Sequence, residues 1–157
     1  MPATPIITPP IITPPFGPIP PDSFGNADQV SLIPIYEAAR RQVFTWTNDL
    51  ETISEEQYSM RRTHERDQQP RVVLARMAFR LRALRRIARR IHAKAKRLRD
   101  RLQEIADLFP IGSSLWRYID RCAVAMNEVA ADADAQLYAL DFRIEEIERN
   151  LKYGEFD

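Results

Sequence analysis

RVVLARMAFRLRALRRIARRIHAKAKRLR, residues 71–99, is the stretch on which the fold turns. Its apolar positions Leu74, Met77, Leu81, Leu84, Ala88, Ile91, Ala95 and Leu98 recur at steps of three and four in strict alternation, and the pattern continues through Leu102, Ile105 and Phe109. Such alternation puts the apolar side chains on one stripe of an α-helix, with Leu74 at heptad position a and Met77 at d. A half-buried strand would need a period of two. The same stretch carries ten arginines, two lysines and no acidic residue. The predicted helix covers 70–108, and Phe109-Pro110-Ile111-Gly112 stops it.

Both flanks read the same way. Upstream, Tyr36, Ala39, Val43, Trp46, Leu50, Ile53, Gln57 and Met60 form a heptad seam on a helix predicted over 32–68. Ser31 is its candidate N-cap, and Pro34 falls in the first turn, where a missing N–H costs little. Ser54-Glu55-Glu56-Gln57 has the form of a capping box, which predicts a possible break near Thr52. Downstream, Ile119, Cys122, Met126, Val129, Ala133, Leu137, Leu140, Ile144, Ile147 and Leu151 line a helix over 114–153, with Gly154 as its stop. Two consecutive steps of four at Val129–Ala133–Leu137 interrupt the heptad as a stutter does. Helices of this length extend about 55 Å each. The short links at 68–70 and 110–113 make sequence neighbours antiparallel. The expected fold is all-α: an elongated bundle of about three long helices over 26–157, the first either continuous or broken near Thr52.

Residues 1–25 have a different composition. Pro5-Ile-Ile-Thr-Pro9 is repeated at once as Pro10-Ile-Ile-Thr-Pro14, and nine of the twelve prolines lie within the first 21 residues. Proline at this density excludes helix and interior strand, leaving an extended arm with a reach of roughly 60–75 Å. A solvated linker would carry Ser, Glu and Lys between its prolines. Here Ile, Thr and Phe16 stand there, giving the arm apolar surface to bury. Pro5, Ile6, Ile7, Pro10, Ile11, Ile12 and Phe16 are therefore expected to lie against a neighbouring subunit. No Arg or Lys flanks the Pro-x-x-Pro steps, so the arm is a poor SH3-type ligand.

Composition narrows the function classes. The 157 residues fit one domain and sum to a net charge of only +1. That neutrality is segregated: residues 22–70 sum to −4, 71–101 to +12, 102–112 to −2 and 113–157 to −5. Cys122, the lone cysteine, sits on an apolar seam and reads as core. His64 and His92 have no ligand partner at metal spacing, so neither metal nor cofactor is expected. Glu55-Glu56 and Glu145-Glu146 lie on highly charged helices and read as solvated. Trp46, Trp116, Tyr36 and Phe44 read as core or interface anchors. With four glycines, no phosphate-cradling loop is apparent, and the chain reads as non-enzymatic. The N-terminus has no charged region followed by an unbroken apolar run, so no secretory signal is expected. No apolar run reaches bilayer length.

The basic helix points to a polyanion. An ordinary solvated face mixes both signs at i, i+4, whereas Arg82, Arg85, Arg86, Arg89 and Arg90 stack like charges that destabilise an isolated helix. Asp132, Asp134, Glu145, Glu146 and Glu148 of the third helix could neutralise part of this internally. Yet the basic residues occupy b, c, e, f and g together, more directions than packed neighbours reach. The candidate nucleic-acid-binding set is Arg76, Arg80, Arg82, Arg85, Arg86, Arg89, Arg90, Lys94, Lys96, Arg97, Arg99 and Arg101. From 71 to 101 there is no Ser, Thr, Asn or Gln, so contacts fall on phosphate and ignore sequence. Arginine outnumbers lysine twenty to three, which suits bidentate phosphate contact. The expectation is a structural nucleic-acid-packaging protein.

The layout of proline-rich arm, arginine-loaded helix and helical bundle resembles the major coat proteins of filamentous viruses of hyperthermophilic archaea. The resemblance is architectural and covers most of the chain. It implies a capsid protein of a virion, assembled in the host cytoplasm, whose subunits, often paired with a paralogous coat protein, wrap linear double-stranded DNA in A-form. It further implies that Arg76 to Arg101 line the DNA channel and that the arm locks neighbouring subunits. The arginine bias is compatible with a hot environment. Two other classes stay open: an accessory subunit of a large protein or ribonucleoprotein machine, and a peripheral membrane binder. The membrane reading suffers from the narrow stripe, with Ala88 and Ala95 in it and no tryptophan.

Overall fold

A computed structural model describes residues 18, 32–66 and 68–154. Three helices account for nearly all of them: α1 (Ile33–Arg66), α2 (Arg71–Ala106) and α3 (Ser114–Tyr153). Among the described residues there is no strand. The proposed N-cap Ser31 and the arm residues Pro5, Ile6, Ile7, Pro10, Ile11, Ile12 and Phe16 lie outside the described residues.

The seams are the core. On α2, Leu74, Met77, Leu81, Leu84, Ala88, Ile91, Ala95, Leu102 and Ile105 are buried, with Leu98 and Phe109 packed at the margin. Their partners are Ile119, Cys122, Met126, Val129, Ala133, Leu140, Ile144 and Ile147 on α3, and Tyr36, Ala39, Val43, Leu50 and Ile53 on α1. Cross-links between side chains set the directions. Arg82 meets Glu148, Arg85 meets Asp141 and Arg99 meets Asn127, so α3 numbers fall as α2 numbers rise and the pair is antiparallel. Gln57 meets Gln136 and His64 meets Asn150, so α1 and α3 run parallel. α2 and α3 share the longest interface, and α1 packs across both. Flanked on two sides, α3 buries a second line at Leu115, Ala123 and Ala130 that the heptad did not mark.

α1 runs unbroken through Thr52, against the predicted break. The residues of the expected capping box are engaged elsewhere: Glu56 with Arg80 of α2, and Gln57 with Gln136 of α3. Leu50 and Ile53 keep that segment on the buried stripe, and Thr52 Oγ1 donates to the Asn48 carbonyl without opening the helix. α2 ends two residues earlier than predicted. There Leu108 N–H donates to Ile105 O and Phe109 N–H to Ala106 O, the tightened turn that satisfies terminal carbonyls. Gly112 then takes φ +88°, a left-handed conformation that favours glycine. Ser113 caps α3 by accepting from Trp116 N–H at 3.3 Å.

Candidate nucleic-acid interface

The twelve basic residues proposed from sequence divide into two groups in three dimensions. Four are held by other side chains. Arg80 forks onto Glu56 of α1, with Nε at 2.5 Å and Nη2 at 2.9 Å from its two oxygens. That hydrogen bond, aided by the charge, holds the Glu56 carboxyl below its ordinary range. Arg82 pairs with Glu148 and Arg85 with Asp141, both on α3. Arg99 donates to its neighbour Asp100 at 2.9 Å and to Asn127 at 2.8 Å. Internal neutralisation thus operates, but along the flanks of α2. The acids that provide it differ from those singled out in sequence, Glu148 excepted.

The other eight, Arg76, Arg86, Arg89, Arg90, Lys94, Lys96, Arg97 and Arg101, are exposed and form no ion pair among the described residues. In heptad terms they hold b, c and f, with Lys94 and Arg101 at g. They therefore cover the outward side of α2 and wrap toward α1. From Arg76 to Arg101 they extend over about 38 Å of helix. Duplex DNA presents roughly twenty phosphates over that length, so one helix laid along it would supply a cation for about every third phosphate.

Near its C-terminal part the face continues into a cleft between α1 and α2, about 450 Å³ in volume, lined by Gln42, Trp46, Lys94, Arg97, Leu98 and Arg101. Sequence reasoning missed Gln42, and it assigned Trp46 to the seam. The indole is only half-buried, so an apolar ring and an amide sit beside three cations. Val72 and Phe79 also project from the outward face, on the same line as Arg86.

Like charges packed this closely repel, which has a measurable consequence for the free protein. Raising NaCl from about 20 mM to about 0.2 M shortens the screening length severalfold and should raise the thermal midpoint, because unpaired cations outnumber cross-helix pairs on α2. A midpoint that falls with salt would mean that the ion pairs dominate.

Burial pushes the Cys122 thiol up to about 12, so it is protonated at neutral pH. The His64 Nε2 meets the Asn150 amide at 2.8 Å, and its Nδ1 lies 3.9 Å from Glu146. Among the described residues no cluster of three or more His, Cys, Asp or Glu could hold a metal ion, and no helix is long and apolar enough to cross a membrane. Compared with family models, curated proteins and solved structures, the chain matches none.

Proposed function

We propose that this chain is a structural nucleic-acid-packaging protein, a coat subunit that coats linear double-stranded DNA through arginine–phosphate contacts and assembles into helical filaments. The observation that carries the reading is the row of eight exposed cations along α2 that form no ion pair among the described residues, with no acid between Arg76 and Arg97. Such a row fits a regular lattice of phosphates and has little with which to read bases. Of the acidic residues on α1 and α3, Glu56, Asp141 and Glu148 clamp the flanks of α2, Glu37, Glu65 and Glu146 pair within their own helices, and others such as Glu51, Asp132 and Asp134 are exposed, which keeps a coated filament soluble. The architectural resemblance to coat proteins of archaeal filamentous viruses extends the proposal to a virion, to A-form duplex and to a possible paired coat protein.

Purified protein mixed with linear duplex DNA is expected to give regular, nuclease-resistant filaments by negative-stain microscopy. Affinity should fall steeply with salt and equally for unrelated sequences. With six to eight phosphates engaged, log K against log[salt] should have a slope of about −5 to −7. A shallow slope, or tight binding to an acidic protein in preference to DNA, would favour the accessory-subunit reading.

A further inference from the structure

Across the core from α2, the groove between α1 and α3 is lined by three rings that no seam explains. Tyr58 is 60% exposed, Tyr138 79% and Phe142 58%. Ala135 and Ala139 on α3 keep the groove open between those rings, and its volume is about 530 Å³. Gln57 donates to Gln136 across it at 3.1 Å. Arg143 also lines the groove and is only 7% exposed. Its Nη1 donates to Glu146 at 2.8 Å, but its buried Nε has no partner among the described residues. The site thus combines apolar rings, small side chains and a desolvated donor that lacks an acceptor. No carboxylate lines it.

These features match one segment of this chain. We propose that the groove receives the proline-rich segment Pro5–Pro15 of another copy. Proline-rich backbone docks onto aromatic-lined grooves, and its carbonyls, free of internal hydrogen bonds, are available to the donor side chains that line this one, Gln57, Gln136, Arg61 and Arg143. Charge does not oppose this: the segment has no charged residue, and the groove is lined by no acid and by two arginines, Arg61 and Arg143, each already ion-paired on its own helix. Length agrees. One Pro-Ile-Ile-Thr-Pro unit spans about 15 Å in polyproline geometry, and the stretch from Ser54 to Arg61 that walls the groove is about 11 Å of helix. A single repeat therefore fills it. The choice of another copy rests on the filament reading: an arm held in the next subunit's groove is a head-to-tail contact, which need not close and so propagates.

The test uses the full chain with p-benzoyl-phenylalanine in place of Tyr138, mixing isotope-labelled and unlabelled copies before irradiation. Cross-links to peptides within Pro5–Phe16 that join labelled to unlabelled copies are expected. Links elsewhere, links within one copy only, or none would overturn the proposal. Independently, the exposed pair Tyr138→Ser and Phe142→Ser should leave the thermal midpoint and the DNA affinity of dilute protein unchanged while shortening filaments at least tenfold. Filaments of unchanged length would overturn it. If the unmodified protein binds no DNA, the packaging reading fails and the cross-link alone decides the groove.

Discussion

Replacing Arg86, Arg89, Arg90 and Arg97 together with glutamine is expected to lower affinity for linear duplex DNA about a thousandfold at 0.1 M salt, because each phosphate contact contributes about 0.9 to the salt slope. Four such contacts remove about 3.6 from the slope, and at 0.1 M that is between three and four powers of ten. The choice of residues matters. Arg80, Arg82 and Arg85 are already held by Glu56, Glu148 and Asp141, so their contact with phosphate would first require breaking a pair. The triple change Arg80→Gln, Arg82→Gln, Arg85→Gln is therefore expected to cost DNA affinity less than tenfold. The quadruple variant should not lose stability. Arg86 and Arg90 are i, i+4 neighbours of like charge, and relieving that repulsion favours the helix. A titration across salt concentrations on both variants, with thermal melts beside it, separates the two groups. Equal losses from both would mean that the ion pairs open on binding and that the flanks of α2 belong to the interface. An unchanged affinity in the quadruple variant would remove the packaging reading.

That division of the arginines was not legible in the sequence, and the reason is physical. Heptad spacing reports which stripe of a helix is buried, because that depends on neighbours three and four residues away. On α2 it identified every seam residue from Leu74 to Ile105 as buried or half-buried. Which charged flank meets an acid depends instead on the register between helices. Arg82 and Glu148 are 66 positions apart, and Arg80 and Glu56 are 24 apart. A shift of one turn would pair different residues with the same seams intact. The same gap explains the missed groove. Tyr58, Tyr138 and Phe142 lie off the seams of two helices that are distant in sequence but parallel in space. Their signal was present as three large rings at non-seam positions, yet nothing local showed that they converge. Local chemistry failed once by itself. The Ser54–Gln57 box has the sequence of a helix start, but tertiary partners for Glu56 and Gln57 outweighed it.

Leu84→Ala is expected to be the most damaging single change to the fold, at roughly 3–5 kcal/mol. Leu84 is 2% exposed and sits between the Arg82–Glu148 and Arg85–Asp141 pairs, at the level of the buried Ile144 and Ile147. The cost should fall near the top of the usual range because the cavity cannot close. Further along α2 the stripe narrows to Ala88 and Ala95, and the antiparallel register brings the latter near Ala130 and Ala133 of α3. Small residues on both helices already set a close approach there, so the backbones cannot move inward to fill a hole at Leu84. For a chain of this size such a loss lowers the thermal midpoint by about 10 °C or more. Leu108→Ala, at a side chain 73% exposed, should change it little. Cys122 gives a second readout. It is fully buried on α3, and its thiol reacts only when the bundle opens. Its labelling rate should therefore rise about a hundredfold or more in Leu84→Ala, the factor that about 3 kcal/mol implies. A variant that melts like the parent and labels no faster would mean that the seam of α2 is not what holds it. The outward row of cations would then have no fixed platform, and the interface built on it would have to be drawn again.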